Sequence, residues 1–170
     1  MIVFAGLPGM GKTTLARELA RDFDCVYVRI DTIECALREA LTHGQPIDDL
    51  GYSVAYALAE ENLRLGHMVV ADSVNPLEIT RETWHAVAKR TGSQVLDIEV
   101  CCSDNMEHRR RVESRTADIP GHKLPTWEEV IAREYHAWPS PPHIVLDTAG
   151  KSVEQAVDEL CRAIRAATGA

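Results

Sequence analysis

Residues 2–20 constrain the fold of this chain more than any other stretch. Four apolar residues, IVFA, lead into GLPGMGKTTLARELA. The spacing Gly6-x-x-x-x-Gly11-Lys12-Thr13 is that of a loop that wraps phosphate oxygens, and it needs a strand before it and a helix after it. Both signals are present, since the apolar run reads as a buried strand and residues 12–21 have helical periodicity. Gly6, Leu7, Pro8, Gly9, Met10 and Gly11 are expected to surround a polyphosphate. The glycines let backbone N–H groups turn inward with no Cβ in the way, and the helix start adds its dipole and unpaired amides. Lys12 is expected to reach the β- and γ-phosphates and the Thr13 hydroxyl to ligate Mg²⁺. Thr14 suits the α-phosphate. These features point to ATP·Mg²⁺.

Downstream, strands alternate with helices and no internal repeat is present. Apolar runs at 2–5, 25–30, 68–71, 95–101 and 143–146 read as strands. Most are apolar on both faces, as central parallel strands are. In 95–101, Asp97 and Glu99 alternate with apolar residues, which suggests one wetter face. Helical patterns cover 12–21, 32–43, 49–65, 77–90 and 105–115, and Thr126-x-x-Glu129 and Ser152-x-x-Gln155 fit capping boxes. The order predicts an α/β fold, a doubly wound sheet of five parallel strands with helices on both faces. One domain is expected over 1–170. Within it, TADIPGHKLP at 116–125 is too rich in proline and glycine for a regular element and reads as a short lid. WPSPPH at 138–143 reads as a stiff connector.

Composition narrows the partners. A formal net charge of −8 gives no general footing for duplex nucleic acid. No apolar run approaches the ~20 residues of a membrane span, and no basic leader precedes the first strand, so neither membrane nor export is expected. Cys25, Cys35, Cys101, Cys102 and Cys161 are odd in number and form no CxxC pair, which favours a reduced, cytoplasmic setting. The seven histidines show no metal-binding spacing.

Four further places carry candidate chemistry. Asp31 lies just past the second strand, where ligands of open α/β sheets bind. A carboxylate there can orient or deprotonate a hydroxyl, or simply cap the next helix. Asp72 ends an apolar strand as a metal-associated acid would. With Asn75 it can instead form the turn before Pro76. Ser73 stands where motor ATPases carry a second acid. Arg111 and Arg115 are four apart, hence on one helical face. They can stack on a base and grip phosphate, or belong to a solvated face balanced by Glu107 and Glu113. Thr148, Ala149 and Gly150 end the last strand in a small-residue loop. Arg38 follows Asp31 on its helix and can meet an anionic group or solvent. Trp127, Tyr135 and Trp138 read as packing residues on the helix after the lid.

With these motifs the chain resembles the small P-loop kinases, a group that includes adenylate, gluconate and shikimate kinases and the kinase domain of polynucleotide kinases. It is most similar to the single-domain predicted ATP-dependent kinases. The resemblance runs from Gly6 to the final helix and implies the strand order 2-3-1-4-5. It also implies roles: Asp31 near the acceptor hydroxyl, Asp72 with Asn75 and Arg81 at the acceptor or metal, Arg111 against the nucleotide base and Arg115 on the transferring phosphate. Thr148, Ala149 and Gly150 would line the adenine.

The expected function is ATP-dependent phosphoryl transfer to a hydroxyl of a small molecule by a monomer or homodimer, with Lys12, Asp31, Asp72 and Arg115 as catalytic groups. Two alternatives stay open: a nucleoside or polynucleotide 5′-hydroxyl kinase, and a nucleotide-binding regulatory module without transferase activity. No Asn-Lys-x-Asp guanine motif supports a GTPase switch.

Overall fold

A computed structural model describes residues 1–41, 45–136, 138 and 144–168. Five strands, β1 (Ile2–Ala5), β2 (Val26–Arg29), β3 (Val69–Asp72), β4 (Leu96–Cys101) and β5 (Ile144–Asp147), form one parallel sheet in the order β2-β3-β1-β4-β5. Topology and order match the sequence expectation. The predicted ends His43 and His143, and the connector 138–143 apart from Trp138, lie outside the described residues.

The sheet is covered on both faces because its strands are mainly apolar, with side chains that alternate sides with period two. Ile2 and Phe4 of β1 point to one face, where they meet Leu15 and Leu19 of α1 (Lys12–Asp22) and Leu160 of α7 (Val153–Thr168). Val3, between them, points to the other face. There it joins Ala55 and Ala59 of α3 (Leu50–Arg64) and Trp84 of α4 (Glu78–Thr91). Two layers of helix therefore fix the carboxyl ends of the strands, the edge at which the loops gather.

The remaining helices are α2 (Ile30–Ala40), α5 (Asn105–Ser114) and α6 (Trp127–Ile131). Thr126 and Glu129 make both bonds of the capping box that starts α6. Ser152 and Gln155 likewise exchange bonds before α7. Two boundaries differ from expectation. The helix after β2 begins at Ile30 with Arg29 as its N-cap, so Asp31 stands in the first turn and caps nothing. The helix after 116–125 ends at Ile131, so Tyr135 and Trp138 lie beyond it. Residues 116–125 contain neither helix nor strand and arch over the carboxyl edge of the sheet.

Candidate active site

The glycine loop between β1 and α1 is packed too tightly for other residues. Gly6 has φ 132°, and a Cβ there would sit 2.2 Å from the Val100 carbonyl oxygen. Gly9 has φ 86°, and a Cβ would meet the Val112 side chain at 2.5 Å. Only glycine tolerates both the left-handed backbone and the contact. From α5, the buried His108 donates its Nε2–H to the Pro8 carbonyl at 2.8 Å. His108 was not legible as a loop support, because a lone histidine in an arginine-rich helix carries no local signal.

Lys12 is buried, and its ammonium donates to the Leu7 carbonyl at 3.0 Å, across the mouth of the loop. Burial pulls its pKa down to about 8, against the opposing pull of Asp72 and Asp31. A cation held this way has lost its water and gains strongly from a bound anion.

Above the loop lies a cavity of 1140 Å³ lined by Pro8, Gly9, Gly11, Lys12, Thr13 and Thr14. Asp31, Arg38, Asp72, Arg111, Arg115 and Thr148 border the same space. On its β5 side, Arg111 donates to the Thr148 hydroxyl at 2.7 Å and carbonyl at 2.9 Å, and to Glu107 at 2.7 Å. The fork is thus held flat at one end of the cavity. Ala149 and Gly150 do not line it. Their N–H groups donate to Asp147 and Glu107, both at distances of 2.9–3.0 Å.

The β2 and β3 ends close the opposite side. Asp72 is 3 % exposed; its Oδ2 accepts from the Tyr27 hydroxyl at 2.6 Å, and Arg29 Nε lies 3.8 Å away. The Tyr27 phenol is held protonated far above its ordinary range, by burial first and then by the Asp72 charge. Asp31 is more open, its side chain 41 % exposed, with Arg29 Nη2 at 3.4 Å. Arg29 also pairs with Asp118 of the arch at 2.7 Å, and Arg17 meets the same carboxylate at 2.5 Å. Arg115, at the end of α5, is half-buried, and its Nε finds no hydrogen-bond partner among the described residues. Burial lowers its pKa below the usual guanidinium value. Arg38 pairs with Glu34 at 2.8 Å.

Asn75 and Arg81 stay outside the cavity, where they brace its wall. Asn75 turns the chain at φ 45°. Fully buried, it donates to the Phe4 carbonyl at 2.7 Å and accepts from Trp84 Nε1 at 3.1 Å. Arg81 donates to the carbonyls of Asn75 at 3.0 Å and His136 at 2.7 Å. Its guanidinium lies 4.3 Å from the Trp138 ring centre and 5.1 Å from that of Tyr135. The kinase resemblance implied a substrate role for both; instead both side chains are buried and bond to the surrounding fold. Sequence reasoning missed Tyr27, Arg29, Arg17 and Asp118. Their partners lie up to 101 positions away, and no short spacing marks them.

A strand–glycine loop–helix unit, with its lysine at the carboxyl edge of a parallel 2-3-1-4-5 sheet, defines the P-loop kinase fold. The chain belongs to the AAA domain family, which it matches over residues 1–134. It is similar to a shikimate kinase of Frankia casuarinae, 29% identical over 174 aligned positions that take in 96% of this chain and 72% of the relative. Two solved structures share the fold. Kti12 of Chaetomium thermophilum, in complex with ADP-AlF3, superposes with a TM-score of 0.71 at 21% identity, covering 96% of this chain and 98% of that one. The APS kinase CysC of Mycobacterium tuberculosis, in complex with AMPPNP and APS, has a TM-score of 0.67 at 18% identity, with 96% of each chain covered.

Proposed function

We propose that this protein is an ATP-dependent kinase that moves the γ-phosphoryl group to a hydroxyl of a small molecule. One observation carries the reading: a partly exposed carboxylate, Asp31, borders the same cavity as Lys12 and Arg115, two cations with no carboxylate within 4.0 Å among the described residues.

The nucleotide lies along Gly6–Thr14 with its base toward Arg111 and Thr148. Asp31 takes the proton of the acceptor hydroxyl. The acceptor oxygen forms a bond to the γ-phosphorus as the bond to the bridging oxygen breaks, and that electron pair leaves with ADP. Lys12 and Arg115 offset charge that builds on the transferring group. Thr13 and Asp72 fit a divalent ion: Asp72 Oδ2 is taken by Tyr27, and its Oδ1 makes no hydrogen bond among the described residues. With Thr13 and Asp72 as its ligands, a Mg²⁺ would supply positive charge that offsets the polyphosphate. Asp72 is thereby assigned to the metal side and Asp31 to the acceptor side.

The arch at 116–125 acts as a lid that excludes water and limits wasteful hydrolysis. A cavity of 1140 Å³ exceeds the usual ~300–1,000 Å³ of a single-ligand site, so nucleotide and a small acceptor fit together. Among the described residues all five cysteines are free thiols and no helix is long and apolar enough to cross a membrane. The test is a mass-spectrometric screen of hydroxyl metabolites, nucleosides and aminoglycosides for ATP-dependent gain of a phosphoryl group. Transfer that is lost in Lys12→Ala supports the reading, and ATP binding without transfer to any acceptor makes the protein a binding module.

A further inference from the structure

The cavity is positive on a negative protein. The chain has a formal net charge of −8, yet nine Lys and Arg side chains line the cavity against five Asp and Glu, a surplus of four. The carboxylates are all engaged. Asp31, Asp72 and Asp118 share Arg29, Asp118 also takes Arg17, Glu34 takes Arg38, and Glu129 accepts the Thr126 N–H. Four cations, Lys12, Arg115, Lys123 and Arg133, have no carboxylate within 4.0 Å among the described residues. Like charges gathered in one cleft focus a field that draws in anions.

The nucleotide accounts for half of them. With its metal it carries about two net negative charges, which Lys12 and Arg115 match. Lys123 and Arg133 remain. Lys123 follows His122, whose Nδ1 lies 3.4 Å from Cys35 Sγ on α2, the helix that carries Asp31. It therefore sits on the Asp31 side, across the cavity from Arg111 and Thr148. Arg133 follows α6 and stands close enough to Lys12 and Arg115 to disfavour their charged forms. Arg38, the other cation at this end, is already paired with Glu34.

We propose that the acceptor carries an anionic group, a carboxylate or a phosphate ester, beside the hydroxyl that is phosphorylated, and that Lys123 and Arg133 hold it. The proposal rests on the kinase reading above, and its test separates the two. The protein is first saturated with Mg²⁺ and the non-hydrolysable analogue AMPPNP. Binding of glycerol, glycerate and glycerol 3-phosphate is then compared by titration calorimetry and ligand-observed NMR. This matched set keeps the hydroxyls and varies the charge.

Either or both charged compounds should bind at least about tenfold more tightly than glycerol, and the stronger of the two names the anionic group. Lys123→Met and Arg133→Met should bring them toward the glycerol level, with AMPPNP affinity held within about twofold. Arg133→Lys should recover part of the loss. Equal binding of the three compounds, or no binding of any at up to about 10 mM, overturns the proposal. So does a fall in AMPPNP affinity in Arg133→Met, which would place Arg133 on the nucleotide. If wild-type protein fails to bind AMPPNP at all, the kinase reading itself has failed.

Discussion

Asp118 grips Arg29 with both carboxylate oxygens, 2.7 Å from Nη1 and 3.1 Å from Nη2, across 89 positions of sequence. The same guanidinium lies 3.4 Å from Asp31 and 3.8 Å from Asp72. One buried arginine therefore joins the arch to both candidate active-site carboxylates. Asp118→Asn should free the arch, and native-state trypsin cleavage after Arg115 or Lys123 should accelerate. Hydrogen bonds from Arg29 and Arg17 hold the Asp118 carboxyl well below the usual carboxylate range. The latch is therefore complete above the ordinary carboxylate pKa of ~3.9 and is lost only as pH falls through the depressed folded value. Cleavage rates in the wild type that match those of Asp118→Asn near neutral pH would refute the latch.

Nucleotide binding should take up a proton in mildly basic solution. Burial pulls the Lys12 pKa down to about 8, and a bound polyphosphate raises it. Affinity is expected to fall as pH rises above 8, with proton uptake visible by calorimetry in buffers of different ionisation enthalpy. Lys12→Ala should abolish that uptake and weaken ATP binding.

The Tyr27 hydroxyl positions Asp72 through a bond of 2.6 Å. Tyr27→Phe should cost about 1.5–3 kcal/mol, the range for a hydrogen bond to a charged group. Urea unfolding measures the loss. Under the proposed assignment, the Mg²⁺ dependence of turnover should shift in the same variant.

Asn75→Ala should destabilise the fold without touching the cavity. It removes the bond to the Phe4 carbonyl and leaves the Trp84 N–H without its Asn75 partner in the core, at about 1–3 kcal/mol for the stranded group. Urea unfolding should show the drop, and nucleotide affinity of the folded fraction should hold.

These residues mark where sequence reading stops. The five strands and both capping boxes were legible, because hydrophobic period and cap chemistry are local, whereas the strand order came from the resemblance to the P-loop kinases. The glycine loop was legible because its backbone demands fix residue types at fixed spacing. The resemblance set Asn75 and Arg81 at the acceptor or metal, whereas both are buried and neither lines the cavity. Polarity at a strand end does not say which way a side chain turns, and the answer depends on Trp84, Tyr135 and Trp138 packing around them. Arg29, Asp118 and Arg133 gave no signal because the fold alone brings them to the cavity.

His85 and Asp97 offer a check on the fold away from the cavity. Asp97 is 5 % exposed, with His85 Nε2 at 2.6 Å. That hydrogen bond raises the histidine pKa above its ordinary 6.5. The raised value means the stabilisation is full below pH 6.5 and fades as pH rises through the folded pKa. The stability gap between wild type and His85→Asn should therefore narrow from pH 6 toward about pH 8.5, as read by urea midpoints.

The fate of the γ-phosphoryl group tests the central claim most directly. Wild-type protein and Asp31→Asn are incubated with γ-labelled ATP, Mg²⁺ and a small-molecule cell extract, and the label is followed into organic and inorganic products. Label should pass to an organic acceptor with the wild type, and far more slowly with Asp31→Asn at nearly unchanged ATP affinity. Label that stays in ATP or emerges only as inorganic phosphate, or transfer undiminished in Asp31→Asn, would contradict the assignment.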